Sequence, residues 1–235
     1  MSKLWKEKTR FKSVDEEWGN VTEILPYERL YETLTPEELQ ELIQDAKRFH
    51  WQALDLHKCG LETLPPELGA LTALRFLALG NENWFNDKFE NAKKNVLSVL
   101  PDFIENLSNL QCLDLDNTPI IALPDFIGNL SNLQRLYLRN TQIAALPDSF
   151  GNLSNLQRLY LLNTQIIALP DSFGNLSNLQ RLYLRNIQIT ALPNLIGNLH
   201  NLRQLALSNT PITSLPDSIG NLSKSLFSIL PRADG

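Results

Sequence analysis

Seven times between Trp51 and Lys224 the chain runs through one 23-residue phrase, seen in full as LQRLYLRNTQIAALPDSFGNLSN from Leu133 to Asn155. A fixed period of roughly twenty to fifty residues means a stack of small units, each unable to bury its apolar face without neighbours. The chain is therefore constrained to an elongated array that builds a surface.

The units begin at Trp51, Leu74, Leu110, Leu133, Leu156, Leu179 and Leu202, and only the second is long. In each, the fourth, sixth, eleventh, fourteenth and twenty-first positions are apolar, as in Leu136, Leu138, Ile143, Leu146 and Leu153. The stretch LxxLxL alternates with period two, the mark of a strand, and it recurs with no hairpin partner between copies. Equivalent strands must then lie side by side and parallel, with right-handed connections. The fifteenth position is proline in all seven units, from Pro65 to Pro216. Proline fixes φ and lacks an N–H, so the return path opens on a short helical or irregular turn. The glycine four residues later, as in Gly128, Gly151 and Gly174, is expected to close it; Glu105 is the departure.

The pattern LxxLxLxNTxIxxLPxxxGNLxN resembles the leucine-rich-repeat family over about three quarters of the chain. Its LP and GNLxNL phrasing is similar to intracellular plant and bacterial members, including the arrays attached to Roco-type GTPases. The resemblance implies an α/β solenoid with a parallel sheet on its concave face and short convex turns. It departs from the common family pattern at the ninth position, where asparagine usually bonds the neighbouring turn. That slot holds Cys59, Thr118, Thr141, Thr164, Ile187 and Thr210. A weaker threonine ladder is expected, interrupted at Ile187.

A chain of 235 residues with 43% hydrophobic content is long enough to bury an elongated core, counted as one solenoid domain. The formal charge of −5 argues against nucleic acid as the main partner. Cys59 and Cys112 occupy different phases of the repeat with no terminal cysteine cluster, which fits a reducing, cytoplasmic setting. The opening MSKLWKEKTRFKSVDEEW carries no apolar run, so neither a signal peptide nor a membrane span is readable. Asn106, Asn129, Asn152, Asn175 and Asn221 form Asn-Leu-Ser sequons, but their recurrence assigns them to the repeat backbone.

Ahead of the first repeat, Thr35-Pro36-Glu37-Glu38 reads as a capping box with proline at the first helical position. A helix over 36–50 follows, with Leu39, Leu42, Ile43, Ala46 and Phe49 on the face that caps the array. Residues 1–35 form an N-terminal extension, expected to be partly ordered. After Lys224 the phase slips and residues 225–235 read as an incomplete repeat or a tail. An uncapped end of this kind is expected to self-associate, to pack on a further domain, or to fray. The second unit carries an insertion over about 82–95 that rises from the rim of the concave face. Its Trp84, Phe85 and Phe89 are costly to expose, and either fold back as a plug or anchor a partner.

Reading the strands as columns places the third, fifth, seventh and eighth positions on the open concave face. The fifth column holds Asp55, Ala78, Asp114, Tyr137, Tyr160, Tyr183 and Ala206. Arg135, Arg158 and Arg181 stand beside the tyrosines in the third, and Arg139 and Arg185 flank Leu162 in the seventh. Tyrosine and arginine are enriched at binding hot spots, and an acidic or aromatic peptide would relieve the repulsion within the arginine column. Duplication of nearly identical units also explains the column without any ligand. Nearer the N-terminus the face turns acidic at Asp55, His57, Asp114 and Asp116, where Ala78 and Gly80 leave room for a lysine or arginine. No phosphate loop, HExxH, paired cysteines or strong metal motif is readable, and no cofactor is implied. The expected function is a non-enzymatic module that binds another protein through the concave face and the rim loop. The alternative is the sensing arm of a larger Roco-like signalling enzyme.

Overall fold

The structure is a computed structural model, described here for residues 33–81 and 93–222. Helix α1 (Pro36–Arg48) starts as the capping box requires: Glu38 N–H donates to Thr35 Oγ1 at 3.2 Å, and Thr35 N–H donates to Glu38 Oε2 at 2.9 Å. It buries Leu39, Leu42, Ile43 and Ala46 against the first repeat. Phe49 is a correction to the expected face. It is the C-cap residue and 54% exposed, with the Arg48 guanidinium over its ring, because the chain leaves the helix there.

Seven strands of three residues follow: β1 (Ala53–Asp55), β2 (Phe76–Ala78), β3 (Cys112–Asp114), β4 (Arg135–Tyr137), β5 (Arg158–Tyr160), β6 (Arg181–Tyr183) and β7 (Gln204–Ala206). They form one parallel sheet in chain order, and every unit pairs with the next at identical repeat positions, as in Leu136 opposite Leu159. The register is set by the apolar spine, since a slip of one residue would turn each leucine out of the core. Leu113, Leu136, Leu159, Leu182 and Leu205 are fully buried in that spine, one above the other.

Each return path is a five-residue 3-10 turn that begins just after the invariant proline, from Pro66–Ala70 to Asp217–Asn221. The expected turn-closing glycine has a different job. A Cβ on Gly151 would lie 2.8 Å from Ser172 Cβ and closer still to the Ser172 carbonyl oxygen, so glycine lets consecutive turns stack. Phe150 and Phe173 pack beneath these turns with parallel rings 6.2 Å apart.

The ninth-position ladder is also different from expectation. Thr118, Thr141, Thr164 and Thr210 donate to the carbonyls of Leu115, Leu138, Leu161 and Leu207 within their own repeats, and buried Ile187 needs no such partner. Repeats are tied together instead by two rows of asparagine. At the eighth position Asn140, Asn163, Asn186 and Asn209 each donate from Nδ2 to Oδ1 of the asparagine one repeat earlier, beginning at Asn117. All five have positive φ, a conformation that asparagine tolerates well among non-glycine residues. At the last position Asn132, Asn155, Asn178 and Asn201 donate to the serine carbonyl of the preceding unit.

Candidate partner-binding face

The second repeat holds the ninth-position asparagine that the family pattern calls for, hidden by the insertion: Asn95 is 1% exposed and belongs to the repeat. Its Nδ2 donates to the carbonyls of Leu56 and Leu79 at 2.8 Å, and its Oδ1 accepts from the N–H groups of Cys59 and Leu61 at 2.9 Å. Asn81 closes the base of the insertion. Its Oδ1 accepts the Asn95 N–H, while its Nδ2 donates to the carbonyls of Asn95 and Asn117. Trp84, Phe85 and Phe89, the expected rim contacts, lie outside the described residues, as do 1–32 and 223–235.

On the concave side, the room foreseen between Asp55 and Asp114 is filled from within the chain. His57, 2% exposed, reaches across the second repeat, with Nδ1 2.7 Å from Asp55 Oδ1 and Nε2 3.1 Å from Asp114 Oδ2. Both ring nitrogens face carboxylate oxygens, so the doubly protonated ring satisfies both. Burial alone would lower its pKa, but the charge of Asp55 and the hydrogen bonds to Asp114 and Asp55 outweigh this and raise it to about 10. Gly80 makes the crossing possible, since a Cβ there would stand 2.8 Å from Asp114 Oδ1. Asp114 Oδ1 accepts the Asp116 N–H, and Asp116 in turn holds Arg139 through Nε at 2.8 Å and Nη2 at 2.7 Å. Burial and the neighbouring Asp114 push the Asp116 carboxyl up from its ordinary range, against the pull of Arg139. The expected acidic pocket for a partner's lysine is thereby corrected: His57 and Arg139 of this chain are its cations.

The tyrosine column is real but less open than its register suggested. Tyr137, Tyr160 and Tyr183 stack in sequence with centroids 4.7 Å apart and planes within 10°. Tyr137 is 1% and Tyr160 6% exposed, while Tyr183, whose next neighbour in the column is Ala206, stays half-buried. Parallel strands bring identical side chains to van der Waals distance, so an inner ring is covered on both faces. The Tyr183 hydroxyl donates to Gln204 Oε1 at 2.7 Å. Burial drives the Tyr137 phenol and the Cys112 thiol well above their ordinary ranges. Arg135 is 8% exposed, Arg158 and Arg181 are half-buried, and Arg185 is exposed. Within the last four repeats the accessible part of the face lies around Arg158, Leu162, Arg181, Tyr183 and Arg185.

A family model described as a leucine-rich repeat region matches residues 88–188, and a second, for two copies of the leucine-rich repeat, matches 177–223. The chain is a leucine-rich-repeat protein. Among solved structures it is similar to a leucine-rich-repeat protein of Leptospira interrogans, at 34% identity and a TM-score of 0.68, over 78% of this chain and 44% of that one. It is also similar to an internalin of Listeria monocytogenes, at 25% identity and a TM-score of 0.61, over 79% of this chain and 52% of that one. This leucine-rich-repeat chain thus spans about half the length of each. A search of curated proteins found no match. Leucine-rich-repeat arrays offer extended concave surfaces to other proteins, and this array has that surface. Among the described residues no helix is long and apolar enough to cross a membrane.

Proposed function

We propose that the chain is a non-enzymatic protein-interaction module whose partner lies across the concave sheet of repeats four to seven, with the insertion at the rim as a second contact. One observation carries the reading: Arg158, Arg181 and Tyr183 stay partly accessible on strands held in strict register, with half-buried Leu162 and exposed Arg185 two residues beyond those strands, beside a buried tyrosine stack. Side chains held on paired strands lose little freedom when a partner docks, which favours affinity. Two buried cysteines without a disulfide support a reducing cytoplasmic setting as part of this reading.

Site-specific photo-crosslinking tests it. A crosslinking residue at Tyr183 is expected to trap a partner in the native host, and one at the convex Asp171 is not. Equal trapping from both, or trapping from the convex side alone, would remove the concave face from consideration.

A further inference from the structure

Between Leu133 and Leu222 the charges are sorted by side. Arg135, Arg139, Arg158, Arg181, Arg185 and Arg203 lie in or next to the strands, while Asp148, Asp171 and Asp217 are exposed first residues of the convex turns. These four repeats carry a local excess of positive charge although the chain as a whole is at −5. Arg135, Arg158 and Arg181 sit directly opposite one another in the sheet register. Like charges at adjacent strand positions are destabilising. Among the described residues Arg135, Arg181 and Arg185 have no carboxylate at ion-pair distance, and the Arg135 Nε is buried without a hydrogen-bond acceptor. Arg139 differs, being held by Asp116.

Resting on the proposed concave-face reading, we infer that the segment recognised there is an acidic peptide stretch of another protein, laid across strands β4 to β6 with its carboxylates on the Arg135, Arg158 and Arg181 column. Carboxylates accept from guanidinium groups in charge-assisted, often bidentate bonds, and they bring counter-charge to Arg135 and Arg181 as they bind. Strand spacing puts the three guanidinium groups within about 10 Å along the array, a distance that about three residues of extended chain cover. A single carboxylate does not span it, so the match is to a run of acidic residues. Half-buried Leu162, between Arg139 and Arg185 in its column, adds an apolar contact beside that run. A long polyanion such as nucleic acid fits less well, because it would also meet the field of a chain at −5.

The test is a random peptide display selection on the full chain, run beside R135Q/R158Q/R181Q and beside L162E, with melting curves for each. Peptides recovered on the wild type are expected to be enriched in Asp and Glu. The triple variant should bind a synthetic copy of the best one roughly tenfold more weakly or worse, with added salt weakening the wild type. If peptides are recovered and lost with L162E yet show no acidic enrichment, the face binds a partner but the acidic assignment is overturned. If nothing binds in a way that depends on either variant, both the assignment and the concave-face reading fall. Tighter binding of a short DNA or RNA duplex, with the same dependence on the three arginines, would also overturn it.

Discussion

On the concave side, repeats one to three pair His57, Asp114 and Asp116 within the chain, whereas repeats four to seven line arginines up along the strands. The first group adds ties that occur only once among the described residues: Asn95 spans the first two units, Asn81 reaches the third, and His57 leaps from β1 to β3. In the second group each tie is a copy of its neighbour, as in the asparagine row from Asn140 to Asn209 and the stacked rings of Tyr137, Tyr160 and Tyr183. A unique buried polar tie has no substitute when it is lost. A repeated tie loses one rung while the rest remain, so the two halves should differ sharply in their response to single substitutions.

The largest effect is expected at Asn95. Asn95→Ala leaves two N–H and two carbonyl groups without their side-chain partner, a loss of about 4 kcal/mol in urea unfolding followed by fluorescence. A loss below about 1 kcal/mol would erase the contrast between the halves. His57→Gln comes next at about 3 kcal/mol, because it removes the cation that lies between two carboxylates, one of them fully buried. This tie also has a sign with pH. The folded-state pKa of about 10 lies above the ordinary 6.5, so its stabilisation is complete below about pH 6.5 and is lost as pH rises toward 10. Wild-type melting temperature should fall over that window, with a shallower slope for His57→Gln; equal slopes would place the pH dependence elsewhere.

Gly151→Ala probes the close stacking of the convex turns and is expected to cost about 2 kcal/mol, read by thermal melting, as the added methyl meets Ser172. The smallest effect belongs to Asn163→Ala, about 1 kcal/mol for one exposed rung of the ladder and its left-handed backbone. Hydrogen exchange should show that loss confined to the adjacent repeats. Spread of the effect into β1 to β3 would mean that the halves unfold as one unit.

Much of the scaffold was legible in the sequence because it is periodic. The 23-residue spacing, the leucine positions and the prolines imply parallel strands and short turns, and Thr35-Pro36-Glu37-Glu38 announces the cap helix. The candidate face was legible as a set of columns, but its accessibility was not. Tyr137 and Tyr160 look like surface residues in their register, and it takes rings stacked at 4.7 Å from the adjacent repeats, one beside Tyr137 and two beside Tyr160, to cover their faces. Asn95 was hidden because the insertion displaces it by thirteen positions; realigning the unit from Leu97 backward would have returned it to the ninth slot.

The amino-acid sequence by itself determined the array: its period, its strand direction, its apolar spine and the residue types in each column. These follow from local chemistry repeated at fixed intervals. Only the tertiary structure decided which of those residues keep their charges to themselves. His57 meets Asp114 and Arg139 meets Asp116 across 57 and 23 residues of chain. Stacking at strand spacing brings these columns together, and the His57 pair also needs the space left by Gly80, which no repeat position copies. The same stacking leaves Arg181, Tyr183 and Arg185 accessible at the other end of the sheet.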